Sequence, residues 1–152
     1  MKKYITAFIA AMLLSAPCAN AMRGEEIQIH VIVGGQEIKF EDQKPIIIAG
    51  RTLLPIRGVM EAMGKTVSWN NDERCAVITD GRTTISLGIG NNIMKKTITN
   101  GFGVISSETE LDTAPIILND RTCLPVRAAA EAFGAEVRWD DASKTVFIDG
   151  GQ

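Results

Sequence analysis

Pro45-Ile46-Ile47-Ile48-Ala49-Gly50-Arg51-Thr52-Leu53-Leu54-Pro55-Ile56-Arg57 recurs as Pro115-Ile116-Ile117-Leu118-Asn119-Asp120-Arg121-Thr122-Cys123-Leu124-Pro125-Val126-Arg127. Each number in the second stretch is that of the first plus 70, without a gap. The agreement continues through Glu61-Ala62 and Glu131-Ala132, Gly64 and Gly134, Val67 and Val137, Trp69 and Trp139, and Ile78 and Ile148. An agreement this long marks an internal duplication, which governs every later reading of the chain. Two copies are too few for a solenoid. The sequence therefore predicts a pseudo-symmetric single domain, or two tightly packed halves, built from half-repeats 45–80 and 115–150.

Each copy has legible local structure. Pro45–Ile48 and Pro115–Leu118 read as short strands with proline at the start, where a missing N–H is tolerated. Gly50 and Asn119-Asp120 supply turns. Thr52–Leu54 and Thr122–Leu124 are extended pieces, and Pro55 and Pro125 suit the first turn of a helix. Ile56, Val59, Met60 and Met63 then fall at helical spacing, as do Val126, Ala129, Ala130 and Phe133, giving one buried stripe per copy. Gly64 and Gly134 stand where a helix end favours a left-handed residue. A hairpin follows in each copy: Thr66–Trp69 with Arg74–Thr79, and Glu136–Trp139 with Lys144–Asp149, across four-residue loops. Asp80-Gly81 turns into Arg82–Leu87, and a further β segment covers Ile93–Ile98. At the front, Ile27, Ile29, Val31 and Val33 alternate with Gln28, His30 and Ile32, and Gly34-Gly35 turns the chain into Glu37–Phe40, a half-buried hairpin. The predicted class is α+β: mostly antiparallel β-sheet packed against two short helices.

The pattern Pro-Ile-Ile-x-x-x-Arg-Thr-x-Leu-Pro-x-Arg, then Glu-Ala-x-Gly, then Val-x-Trp-Asn/Asp and a closing strand, resembles the copper amine oxidase N-terminal-like domain. The resemblance covers most of residues 22–152, and both copies carry the motif in order. It implies a small stalk domain with an antiparallel sheet wrapped against a helix, of a kind that recurs in secreted and cell-surface proteins. It also implies an accessory or envelope role, because the stalk carries none of the oxidase's catalytic groups. Those groups are a tyrosine-derived quinone and copper held by three histidines. Tyr4 is the only tyrosine of this chain and His30 the only histidine, so neither centre is expected here.

The first residues carry an address. Met1-Lys2-Lys3 precede an apolar run from Tyr4 to Pro17, and Ala19-Asn20-Ala21 follows. A positive start, a short apolar stretch and an Ala-x-Ala site predict a signal peptide over 1–21, cleaved after Ala21. The run is too short for a membrane-spanning helix, which needs about 20 apolar residues. The competing reading is a lipoprotein anchored through Cys18, disfavoured by Pro17 before it. Residues 22–152 suit one domain of ordinary size. With Lys2 and Lys3 removed, 14 of the 16 basic residues remain against 18 acidic ones. No basic stripe suggests nucleic acid, and no polybasic run suggests anionic lipid. Cys75 and Cys123 remain after cleavage. Export permits a bond between them, and an apolar strand is also an ordinary home for a free thiol.

Few residues suggest chemistry. His30 lies on a strand with no His-x-His, Cys-x-x-Cys or His-x-x-x-His spacing to support a transition metal. No Gly-x-Ser-x-Gly elbow is present. Glu61 and Glu131 are a formal carboxylate pair for glycoside cleavage, yet each follows an arginine by four residues, as an exposed helical ion pair does. Gly88-Ile89-Gly90-Asn91-Asn92 reads as a loop, with no helix behind it to bind phosphate. Arg51 and Arg121 have a planar donor fork suited to anions and glycans. Their recurrence favours a structural tie to the sheet or a nearby acid, because a fold rule must be obeyed twice. Trp69 and Trp139 end equivalent strands. They offer stacking faces for sugar rings, while the plainer expectation is a large core residue whose N–H finds a partner.

The expected function is that of an exported, non-catalytic binding or structural module of the cell envelope, without cofactor or metal. Cell-wall glycan or an envelope protein is the expected partner, and Arg51, Arg121, Trp69 and Trp139 are the candidate contacts. Free sheet edges make self-association by strand addition a further expectation. The alternatives are a small-ligand or metal-binding accessory protein, and a wall hydrolase.

Overall fold

A computed structural model describes residues 27–151, so the expected signal peptide and Cys18 lie outside the described residues. The chain forms β1 (His30–Val33), β2 (Gln36–Glu37), β3 (Ile46–Ile48), β4 (Arg51–Pro55), α1 (Ile56–Ala62), β5 (Thr66–Asn70), β6 (Cys75–Thr79), β7 (Thr83–Gly88) and β8 (Ile93–Asn100). β9 (Gly103–Glu110), β10 (Ile116–Leu118), β11 (Arg121–Pro125), α2 (Val126–Ala132), β12 (Ala135–Asp140) and β13 (Thr145–Gly150) complete it. The architecture is α+β, mostly antiparallel sheet with two short helices.

The strands form three sheets, in the orders β12-β13-β1-β2, β10-β11-β4-β3 and β5-β6-β7-β8-β9. The middle one joins the two copies. β4 and β11 run antiparallel, with Leu54 opposite Leu124, Pro55 opposite Cys123, and Leu53 opposite Pro125. Leu54 and Leu124 are equivalent positions of the duplication, so a local twofold axis passes between them. The outer sheets depart from that symmetry. β6 receives β7 antiparallel, whereas β13 receives the front strand β1 in parallel, with Val31 opposite Val146. This is the one parallel pairing among the described strands.

The turns that open each copy are tight. Ala49-Gly50 and Asn119-Asp120 join their strands with two residues, all at positive φ: 49° and 73° in the first, 47° and 58° in the second. Two left-handed residues match the twist of a hairpin. Each helix starts directly after the proline, which caps it in an extended conformation with no side-chain hydrogen bond. Each ends at a left-handed glycine, Gly64 (φ 74°) or Gly134 (φ 82°), and Gly64 N–H donates to the Glu61 carbonyl at 2.9 Å.

Seven-residue helices are too short to persist alone. Packing holds them. Ile56, Val59, Met60 and Met63 from the first copy share one core with Val126, Ala129 and Ala130 from the second, closed by Val31, Ile78, Ile85, Leu124 and Ile148. Each large apolar side chain so buried contributes on the order of 2 kcal/mol. Both copies contribute to this one core. Lys65 adds a polar tie between them: it is buried, with Nζ 3.8 Å from Asp80 and 5.2 Å from the centre of the Phe133 ring.

Strand-level differences from the sequence reading are few. The front hairpin is shorter than expected, since β2 has only two residues. β9 was not anticipated. It pairs with β8 over its full length and lies at the sheet edge with all eight residues exposed. Its polar run Ser106–Glu110 shows no alternation because neither face is covered. At the tip between β8 and β9, Phe102 is fully exposed. Cys75 and Cys123 are buried and free.

Candidate functional site

Antiparallel pairing of β4 with β11 places the start of each strand beside the end of the other. Arg51 opens β4 two residues before Leu53, which faces Pro125 at the start of α2. Arg121 opens β11 two residues before Cys123, which faces Pro55 at the start of α1. The result is two grooves. The first, about 1050 Å³, is lined by Arg51 and Thr52 together with Glu131 and Trp139. The second, about 700 Å³, is lined by Arg121 and Thr122 together with Glu61 and Trp69. These are equivalent positions of the duplication, and no residue lines both grooves. All four candidate contacts are thus brought to groove walls, in exchanged pairs: Arg51 with Trp139, and Arg121 with Trp69.

Both arginines are pinned by aspartates that also correspond across the repeat. Arg51 Nε donates to Asp112 Oδ2 at 3.0 Å, and Arg121 Nη2 donates to Asp42 Oδ2. Each bond crosses from one copy to the other. Asp42 and Asp112 were missed in the sequence, although both lie three residues before the repeat's first proline. Asn119 Nδ2 adds a bond to Gln43 Oε1 at 2.8 Å. The pairs are largely exposed, so each guanidinium keeps donors facing solvent.

The tryptophans correct the plainer expectation. Each is 37% exposed, rather than enclosed in the core. The reason is position. β5 and β12 are edge strands, and the indoles sit near the ends of those strands, opposite Ala76 and Val146. Trp69 Nε1 donates to Asn71 Oδ1 at 2.8 Å, and the Trp139 N–H is near enough to the Asp141 carboxylate to help hold its pKa down. Asn71 and Asp141 are again equivalent positions. A bonded N–H fixes the ring plane and leaves a π-face for a ligand.

Charge in the grooves is held by local bonds. Lys144 Nζ donates to Asp141 Oδ1 at 2.7 Å. That bond, the lysine's charge and the Trp139 N–H together hold the Asp141 carboxyl below the usual carboxylate range. A carboxylate so stabilised is a poor proton acceptor near neutral pH. Asp140 is likewise lowered, first by the Ser143 hydroxyl and then by the Ala142 N–H. Glu61 and Glu131 stand in separate grooves, so they do not flank one bond as glycosidase carboxylates must. Arg57 reaches Glu61 at 3.6 Å; Arg127 and Glu131 form no such pair among the described residues. His30 Nδ1 lies 2.6 Å from Glu37 Oε1 on the front hairpin and lines neither groove. No cluster of metal-ligating side chains occurs among the described residues.

The fold and grooves define a duplicated α+β domain with two open, equivalent clefts. The family model of the copper amine oxidase N-terminal domain matches residues 32–148. This chain belongs to that family, whose domain is a non-catalytic accessory, or stalk, unit. No curated protein and no solved structure matches the chain. No helix among the described residues is long and apolar enough to cross a membrane.

Proposed function

We propose that this protein is an exported, non-enzymatic module of the cell envelope that attaches to cell-wall glycan through its two grooves. Export rests on the signal-peptide pattern of residues 1–21. The observation that carries the reading is the repeated pairing of an exposed, oriented indole with a pinned arginine. Sugars present apolar ring faces bordered by hydroxyls. A fixed aromatic plane in the same groove as a pinned guanidinium suits both features and loses little conformational freedom on binding. Amine oxidation is no part of the proposal, because the only tyrosine lies in the signal segment and the chain has a single histidine.

The test is retention of the purified protein on insoluble peptidoglycan, with serum albumin as the non-binding control. Retention above albumin is expected. Arg51→Ala with Arg121→Ala is expected to weaken it while the far-ultraviolet circular dichroism spectrum is unchanged. Retention no greater than albumin's would refute wall-glycan attachment and direct the search to envelope proteins.

A further inference from the structure

We infer that the two grooves are independent half-sites, so that one molecule holds two glycan strands at once and joins them. The inference rests on the glycan reading above and adds valence and selectivity to it. Its basis is the way the duplication is used. A duplication that served folding alone needs equivalent residues in the core. Folding also accounts for the crossed arginine–aspartate ties, but the equivalence reaches further, to the exposed tryptophans and the polar residue two places after each, Asn71 and Asp141. The grooves share no lining residue, so filling one leaves the other open. On a network whose neighbouring strands are already tied together, the second contact is intramolecular and adds avidity.

The two half-sites are not identical. The β8–β9 hairpin has no counterpart in the second copy, and it widens the first groove with Met94, Lys96, Ser107 and Thr109. Ser68 of the second groove corresponds to Arg138 of the first. Five cationic and four acidic side chains line the first groove; three cationic and four acidic line the second. The first groove therefore favours a glycan bearing carboxylates, and the second a neutral one.

Titration calorimetry with a soluble tetrasaccharide of alternating N-acetylglucosamine and N-acetylmuramic acid, free of stem peptides, tests this. Two moles bound per mole of protein are expected, the tighter site being the first groove. Trp139→Leu or Trp69→Leu keeps apolar bulk while removing the aromatic face, and each is expected to reduce the stoichiometry to one. Trp139→Phe retains two. Lys96→Glu, half-buried on β8 opposite the core residue Ile85 and so read only where the far-ultraviolet circular dichroism spectrum is unchanged, is expected to weaken only the tighter site, by about fivefold, the size of one exposed charge contact. A stoichiometry of one in the parent protein, with retention on peptidoglycan intact, would overturn bivalence and leave attachment standing. Retention on peptidoglycan without any tetrasaccharide binding would overturn the glycan assignment in favour of the stem peptides.

Discussion

Ala49 and Asn119 hold the same left-handed turn position, at φ 49° and 47°. An alanine there carries a steric cost of roughly 1 kcal/mol that asparagine largely avoids. Ala49→Asn is expected to raise stability by about 0.5–1 kcal/mol in urea denaturation. Cys123 is a second informative residue. Burial pushes its thiol up to about 11 from an ordinary value of 9.0. Between those two values the unfolded chain releases a proton that the folded chain keeps. The stabilising contribution is therefore complete below pH 9 and is lost as pH rises toward 11. Urea midpoints of the parent are expected to fall through that window more steeply than those of Cys123→Ala. Burial also raises the Cys75 thiol, and both thiols are free. A thiol reagent is expected to label neither in the folded protein and both in denaturant; no labelling in denaturant would indicate a disulfide.

At the scale of elements, the two helices illustrate how one design tolerates different residues. α1 carries Gly58 where α2 carries Ala128. A Cβ at Gly58 would meet Phe40 at 3.7 Å and Ile38 at 3.8 Å, ordinary van der Waals distances. Gly58→Ala is expected to stabilise by about 0.5–1 kcal/mol, since glycine inside a helix is costly. Met60→Ala, by contrast, empties a fully buried site in the shared core and is expected to cost about 2–5 kcal/mol. The crossed arginine–aspartate pairs contribute little to stability for all their regularity. They are solvent-exposed, and a double-mutant cycle on Arg51 and Asp112 is expected to give a coupling under about 1 kcal/mol. A coupling well above that would make the pairs structural ties first and binding groups second.

At the scale of the whole molecule, the duplication did most of the positioning. The prolines, the helical stripe and the left-handed glycines were legible because each is a local signal repeated at a fixed offset. The grooves were not, because they depend on Leu54 meeting Leu124, a pairing that exchanges partners between copies. Arg51 and Trp69 belong to one copy and to different grooves. The parallel pairing of β1 with β13 joins the two ends of the domain, and no local pattern announces such a contact. Ser106–Glu110 concealed β9, since an edge strand exposed on both faces needs no apolar alternation. Trp69 and Trp139 are the chain's only tryptophans, so intrinsic fluorescence reports on the grooves alone. The decisive measurement is that emission during titration with the peptide-free tetrasaccharide. A saturable change in emission, with protection of the indoles from acrylamide quenching, is the expected result. Emission and quenching unchanged at concentrations where the protein is retained on peptidoglycan would contradict the account, by placing attachment on some other surface.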